Sequence, residues 1–567
     1  MPERLAPGAH VAHVGFAVPR IAAAATTTAF VGPTSRGPVF AAGDPSATVP
    51  LTSLADFERL HGKARTLRFG DVEAIDHTAL AVRAFFANGG SRLRVARVAG
   101  EGAATASSGD ALGGPGSGVA LVARDPGGGA VGGRTGVAVS VRLREDARTL
   151  AKRDALRTPG AMLLHAGALH VVGAGSDASP GAASALAALD DAAQVSLLSL
   201  AIEIADDSGI AFAASDLGHD PRHPRFVGRV LGPRPPVGAG SQDSPVELRI
   251  ADGVGPFELR RALVGADGSG RADVALADGS DGSAPPPVSA YREALEALLA
   301  LEDVTVVAAP ASAAAPEGDA VRRALAEHAG TDGRRFAVLD PPPRAGARRV
   351  RRLAEGLEAR SAALYHPWIE VEDPSATGTV ATPPSGAVCG LYARVDAARG
   401  VWKPPAGEPL TGVAGVARRL GRRKRAALTQ SGVNPIRAFR RRGVMVWGAR
   451  TLSSDPEWRY VSVRRHFLHL RASIERGLGW VGFEANGQPL WDRVRAEVSD
   501  VLNAEWRAGG LAGFTPDRAF FVRCGPETTT PEDLAAGRVV CEVGFAPLKP
   551  AEFVVFRVAL RTAEATV

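Results

Sequence analysis

His466 and His469 stand one helical turn apart, a spacing at which two imidazoles could supply half of a zinc site. HExxH is absent and no further ligand pair accompanies them, so the pair reads as part of a surface or interface. Residues 278–282 (DGSDG) carry oxygen donors of the kind calcium takes, without the later bidentate Glu that completes such a loop. Ser385, in PPSGAVCG, lacks the GxSxG elbow that exposes a nucleophile, and nothing in the sequence places a His beside Cys389 in an oriented triad. The phosphate loop GxxxxGK[ST] does not occur. The glycine-rich stretches 127–133 and 278–282 do not sit between a strand and a helix, and read as turns and linkers. His366, Pro367 and Trp368 read as a packed turn. The sequence therefore assigns no catalytic, cofactor-binding or metal-binding residue and points away from an enzyme.

Charge is the stronger signal. The formal net charge is +6, yet residues 391–480 hold 19 Lys plus Arg against 5 Asp plus Glu, a net +14 that leaves −8 on the rest. A field of that size attracts an acidic partner and repels copies of itself unless they offset it. It is densest at Arg418, Arg419, Arg422, Arg423, Lys424 and Arg425. Such a run can neutralise nucleic-acid phosphates without reading bases, face an acidic protein surface, or simply be a solvated helix face. No aromatic interleaving or recognised nucleic-acid-binding motif accompanies it.

The elements around these residues predict a multidomain α/β (α+β) chain. At 567 residues and 45% apolar content the chain exceeds one hydrophobic core. A helix is expected over 75–88, its apolar face made by Ile75, Leu80, Val82, Phe85 and Phe86, and a strand over 93–98. Residues 102–118 read as a flexible link. From 119 to 288 short strand patterns such as 137–143 and 246–250, broken by Gly and Pro, predict a β-rich insertion. Helix returns at 291–301, then strands at 304–309 and 336–339, a succession that argues α/β layering. Tyr460, Val463, Phe467, Leu470, Ile474 and Leu478 make one helical stripe, and Trp491, Val494, Val498 and Val501 another. Strands are expected at 519–524, 539–545 and 553–560. The first twenty residues, with Pro2, Pro7, Gly8, Gly15 and Pro19, read as an extended arm ordered by a neighbour.

Three cysteines, Cys389, Cys524 and Cys541, are too few for a disulfide framework and suit a reducing cytoplasm. No export signal and no apolar run of about 18 residues is found, so synthesis in the cytoplasm without membrane insertion is expected.

Several segments carry a resemblance. GVWKPPAGEPLTGV (400–413), LTQSGVNPIRAF (428–439), VMVWGARTLSSDPEWRYVSVRR (444–465) and PAEFVVFRVAL (550–560) resemble, in order and spacing, the C-terminal domain of contractile tail sheath proteins. At the other end LAPGAHVAHVGFAVPRIAAAATTTAFVGPTSRGPV (5–39), TSLADFERLHG (52–62) and AVRAFFANGGSRLRVARV (81–98) resemble the opening arm and first elements of that family. LVARDPG (121–127), RRFAVLDPP (334–342) and YHPWIEVEDP (365–374) add weaker matches, while 143–289 has none.

The resemblance implies discontinuous α/β core domains around an inserted outer domain. Its divisions are an arm at 1–20, a sheath domain in two parts at 21–118 and 289–390, the insertion at 119–288, a C-terminal domain at 391–546 and a strand arm at 547–567. It also implies stacked hexameric rings of this chain around an inner tube protein, with baseplate and terminal cap proteins as further partners, and no nucleic acid. Strand exchange through the arms would use Val11 and Val14 at one end and Phe553, Val555 and Phe556 at the other. Arg422, Arg423 and Arg425 would then face the tube. A baseplate or collar component of the same kind of particle is the alternative. No cofactor is implied.

Overall fold

The computed structural model describes residues 26–40, 48–109, 112–127, 137–145, 150–151, 157–173, 190, 192–206, 209–232, 244–264, 270–535 and 537–549. Of these, Thr26–Ala398 and Pro405–Val461 form one compact unit; Arg399–Pro404 and the chain from Ser462 onward form another.

The first unit is built on a seven-stranded sheet. Its strands are β1 (Thr27–Gly32), β2 (Leu93–Arg97), β3 (Val304–Ala308), β4 (Phe336–Leu339), β5 (Ala362–His366), β6 (Val433–Phe439) and β7 (Gly443–Val446), in spatial order β7-β6-β5-β4-β3-β1-β2. All neighbours are parallel except β6 and β7. The sequences explain this: TTAFVG, FAVL and AALYH are runs buried at every position, as strands covered on both faces must be. Helices α1 (His77–Ala87), α2 (Val288–Leu298), α3 (Gly318–Asp332), α4 (Ala347–Glu355), α5 (Ser385–Arg399) and α6 (Arg422–Gln430) supply the crossovers. Val304, Val307, Leu325, Leu339, Val350, Leu364, Leu428 and Val433 share one core.

Leu364 pairs with Val433, so the sheet runs through the expected division at 390 and 391. Residues 405–461 consequently belong with the first unit, because β6 pairs its backbone with β5 on one side and with β7 on the other. Helix α1 starts later than expected, at His77. Asp76 caps it by accepting the Ala79 amide at 2.8 Å, and Ile75 ends a short strand, half exposed, instead of joining the apolar face.

The chain leaves the sheet after β2 and returns at α2. Between them lie antiparallel strands, among them Ala138–Glu145, Gln194–Asp206, Gly209–Leu217 and Arg271–Ala275 in one sheet, and Thr105–Ser107, Val119–Pro126 and Val246–Ile250 in another. The insertion is β-rich, as the patterning required, and alternating Leu200, Ile202 and Ile204 point into its core. Residues 102–118 are no plain link: Ala106 and Leu112 are fully buried in that core, and Ser107 bridges Ala277. The Gly, Ala and Ser around them hid this contribution from a hydropathy reading.

In the second unit, helices α7 (Val461–Gly477) and α8 (Gln488–Arg507) pack with a two-stranded antiparallel sheet, β8 (Phe520–Cys524) and β9 (Cys541–Phe545). The stripe on α8 is Leu490, Trp491, Val494, Val498 and Leu502, and Leu470 of α7 joins the same cluster. Among the described residues, no helix is long and apolar enough to cross a membrane.

Candidate partner interface

Helix α6 opens after Gly421, which is extended and offers no side-chain cap, and it contains no acidic residue. Leu428 is its one fully buried side chain, anchored on Val433 and Val350, so a single apolar contact holds a helix whose other face stays wet. Arg422, Arg423 and Lys424 are exposed there. Helix α4 is built the same way: ARRVRRLAE buries Val350 and Ala354 and exposes Arg348, Arg349, Arg351 and Arg352, and it too begins at an uncapped glycine, Gly346.

The two helices flank a groove of about 440 Å³ whose charged lining is Arg348, Arg351, Arg418, Arg419, Arg423 and Lys424, with no carboxylate. Glu355 lies off the groove and pairs with Arg351 at 3.2 Å in the open, worth little in water. Free N–H donors at both helix starts add to the positive field. Below it, burial, with Arg418 nearby, pushes His366 down to about 4, so that imidazole is neutral and does not join the cationic surface.

Sequence reasoning found one wall of this groove. Arg423 lines it; Arg422 is exposed beside it; Arg425 is half-buried and donates to the Leu420 carbonyl, which turns it back on the fold. Arg348 and Arg351 were missed because they lie far from the run in sequence, although RRVRR at 348–352 marks a helix with one buried row. The turn between β6 and β7 extends the basic surface with exposed Arg440, Arg441 and Arg442. Arg437 there stacks on Phe439 and Trp447, 4.5 and 4.9 Å from their ring centres. Aromatics thus meet the cations in space, where the linear sequence showed no interleaving.

The other candidates fall elsewhere. His466 Nε2 meets Glu505 Oε1 at 2.6 Å in the second unit. Ser385 is buried at the start of α5, where its amide donates to Asp340 at 2.9 Å, and Cys389 is buried one turn on. Neither offers an accessible nucleophile. His366 and Trp368 are buried, and Trp368 Nε1 donates to the Pro341 carbonyl, so the expected packed turn is present. Val11, Val14, Phe553, Val555 and Phe556 lie outside the described residues.

The phage tail sheath protein central domain matches residues 288–452, and the phage tail sheath C-terminal domain matches 453–561 immediately after it. A chain of the PVC extracellular contractile injection system, solved as a sheath complex in the contracted state, is 30% identical over 53% of this chain and 80% of its own, with a TM-score of 0.43. The chain belongs to the phage tail sheath family. A putative prophage major tail sheath protein of Pseudomonas aeruginosa (strain UCBPP-PA14) is 27% identical over 229 residues, 40% of this sheath-family chain. The chain spans 58% of the length of that relative. The sheath tail protein of Listeria innocua shares the fold over 93% of this chain and 96% of its own, at 11% identity and a TM-score of 0.54. Within the family frame, the α4 and α6 groove falls inside the central-domain match, while β8 and β9 fall inside the C-terminal one.

Proposed function

We propose that this protein is the structural subunit of a contractile sheath, which polymerises helically around an inner tube and contracts to drive the tube into a target envelope. The observation that carries the reading is the end-to-end match of two tail sheath domains across residues 288–561. The likeness to a sheath solved in the contracted state supports it. Subunits would stack as hexameric rings and associate with baseplate and cap proteins; a baseplate or collar role is the alternative. Assembly takes place in the cytoplasm in this reading, and contraction is a rigid-body repacking of a metastable array that needs no nucleotide.

Two sets of contacts would hold the array. Extended arms, through Val11 and Val14 at one end and Phe553, Val555 and Phe556 at the other, would add to a neighbour's sheet edge. Among the described residues the sheet of β8 and β9 has two strands, which supports this role, because so narrow a sheet offers an edge to a further strand. Each backbone bond contributes about 0.5–1.5 kcal/mol net, and several per arm, repeated over all subunits, give a mesh that shears without parting. The second set is electrostatic: Arg422 and Arg423, with the rest of the groove surface, would face an acidic tube. Arg425 would support that wall through Leu420.

Electron microscopy of the chain expressed alone tests the reading. Hollow, helically striated tubes are expected, and removal of residues 552–567 should leave a folded monomer. Tubes from the truncated chain would refute arm exchange. Reversing Arg422 and Arg423 to Glu should weaken tube association while self-assembly survives, and unchanged tube binding would refute the tube-facing assignment.

A further inference from the structure

Cys524 ends β8 and Cys541 begins β9, and the register sets them directly opposite each other. Ala546 N donates to Ala519 O at 2.8 Å just outside the strands, which fixes the alternation of the ladder. Counting inward from that hydrogen-bonded position, Phe521 and Gly544, then Arg523 and Glu542, are hydrogen-bonded pairs. Phe520 and Phe545, Val522 and Val543, and Cys524 and Cys541 are the non-hydrogen-bonded ones. Such pairs hold their Cα atoms about 4.5 Å apart with side chains close on one face. A disulfide spans about 4.4–6.8 Å between Cα atoms, so the backbone can take the bridge without moving. The packing agrees. Phe520, Val522, Cys524, Cys541, Val543 and Phe545 share one apolar cluster, and the two thiols are within hydrogen-bonding reach of each other.

We infer that Cys524 and Cys541 form an oxidation site, a dithiol that closes to an intrachain disulfide when the protein meets a small-molecule disulfide. The step begins at Cys541, because Cys524 is fully buried and Cys541 only half so. The Cys541 sulfur, as thiolate, attacks one sulfur of the small disulfide, breaking its S–S bond and releasing one small thiol. Cys524, losing its proton to solvent, then attacks the Cys541 sulfur, forms the protein S–S bond and expels the second small thiol. The protein dithiol is oxidised by two electrons and the small disulfide reduced by two. Burial pushes the Cys541 thiol up to about 12, which makes the first attack slow. Excess small thiol drives the exchange back to the dithiol by mass action. A particle component that leaves a reducing compartment would close the bridge afterwards. The bridge would pin the β8 and β9 pair, which otherwise rests on a short two-stranded ladder.

The test is to incubate the full-length native chain with oxidised glutathione or with dithiothreitol, then unfold it in an alkylating agent and measure mass and linked peptides. The chain has three cysteines. After dithiothreitol all three should alkylate; after oxidised glutathione only Cys389 should, with two hydrogens lost and a peptide cross-link between Cys524 and Cys541. Cys389→Ser should fall from two alkylated thiols to none, and Cys541→Ser should keep two under both conditions. Three alkylated thiols after oxidation, a lasting glutathione adduct on Cys541, or a link through Cys389 would each overturn the inference. Peptide mapping of the unsubstituted chain decides even where a variant fails to fold.

Discussion

Arg97, at the end of β2, meets Asp281 on the segment returning from the insertion, with Arg97 Nη2 3.6 Å from Asp281 Oδ1. The guanidinium is almost fully buried and also donates to the carbonyls of Gly37 at 2.6 Å and Pro126 at 2.9 Å. One side chain therefore ties the sheet to a strand of the inserted domain and to the segment returning from it. Burial raises the Asp281 carboxyl above its ordinary range and lowers Arg97, while each holds the other charged. Truncating Arg97 takes from the largely buried Asp281 its main cationic partner. Arg97→Ala should cost about 3–5 kcal/mol in urea unfolding and open residues 98–127 to protease. Unaltered unfolding would remove Arg97 from this role.

Asp340, at the end of β4, accepts the Ser385 amide and is raised by burial to about 7 from 3.8. Its folded value lies above its unfolded one, so the native state holds a proton that the unfolded state has lost between pH 3.8 and about 7. Stability therefore falls with rising pH across that window and is level above it. Asn cannot ionise and keeps an oxygen for the Ser385 amide. Asp340→Asn should gain on the unsubstituted chain from about pH 4 to about pH 7, by up to about 1.4 kcal/mol per pH unit. Parallel stability curves from thermal unfolding would contradict this.

Asn434, near the start of β6, ties that strand to β5 and to Arg450 beyond β7. Its amide nitrogen donates to the carbonyls of Leu364 at 3.3 Å and Arg450 at 2.7 Å, and its oxygen accepts the Arg450 amide at 2.7 Å. Asn434→Ala leaves buried backbone groups unpaired and should cost about 2–4 kcal/mol. Equal denaturation midpoints would show the network to be dispensable.

Reversal at Arg348 and Arg351 probes the wall of the groove that sequence reasoning missed. Both are exposed, so folding should be unaffected to within about 0.5 kcal/mol. Co-sedimentation with tube should fall, more steeply at low salt. Retention of full binding would confine the contact to α6.

The second unit offers a packing test. His466 Nε2 and Glu505 Oε1, 2.6 Å apart, join α7 to α8 through a nearly buried imidazole. Glu505→Ala should cost about 1.5–3 kcal/mol, and Glu505→Gln less. A neutral result for Glu505→Ala would place the pair outside the stability of this unit.

Periodicity determined α1, α2, α7 and α8 and the strands β2, β3, β4, β8 and β9, while α3 to α6 and β1, β5, β6 and β7 were not read from it. The stripe from Trp491 to Val498, the buried runs of β3 and β4, and the β-rich character of the insertion follow from where apolar side chains recur. Family membership was legible in the motifs from 400 to 465. Tertiary structure alone decided which chain segments become neighbours. The pairing of Leu364 with Val433 carried the main sheet past the expected division, because parallel pairing between distant segments leaves no local trace. The groove needed Arg348 and Arg423 brought together by two helices that each anchor through one apolar row, and no linear spacing encodes that approach. Cys524 and Cys541 likewise faced each other only once the register of an antiparallel pair was set, since register is fixed by which face is buried and not by the cysteines themselves.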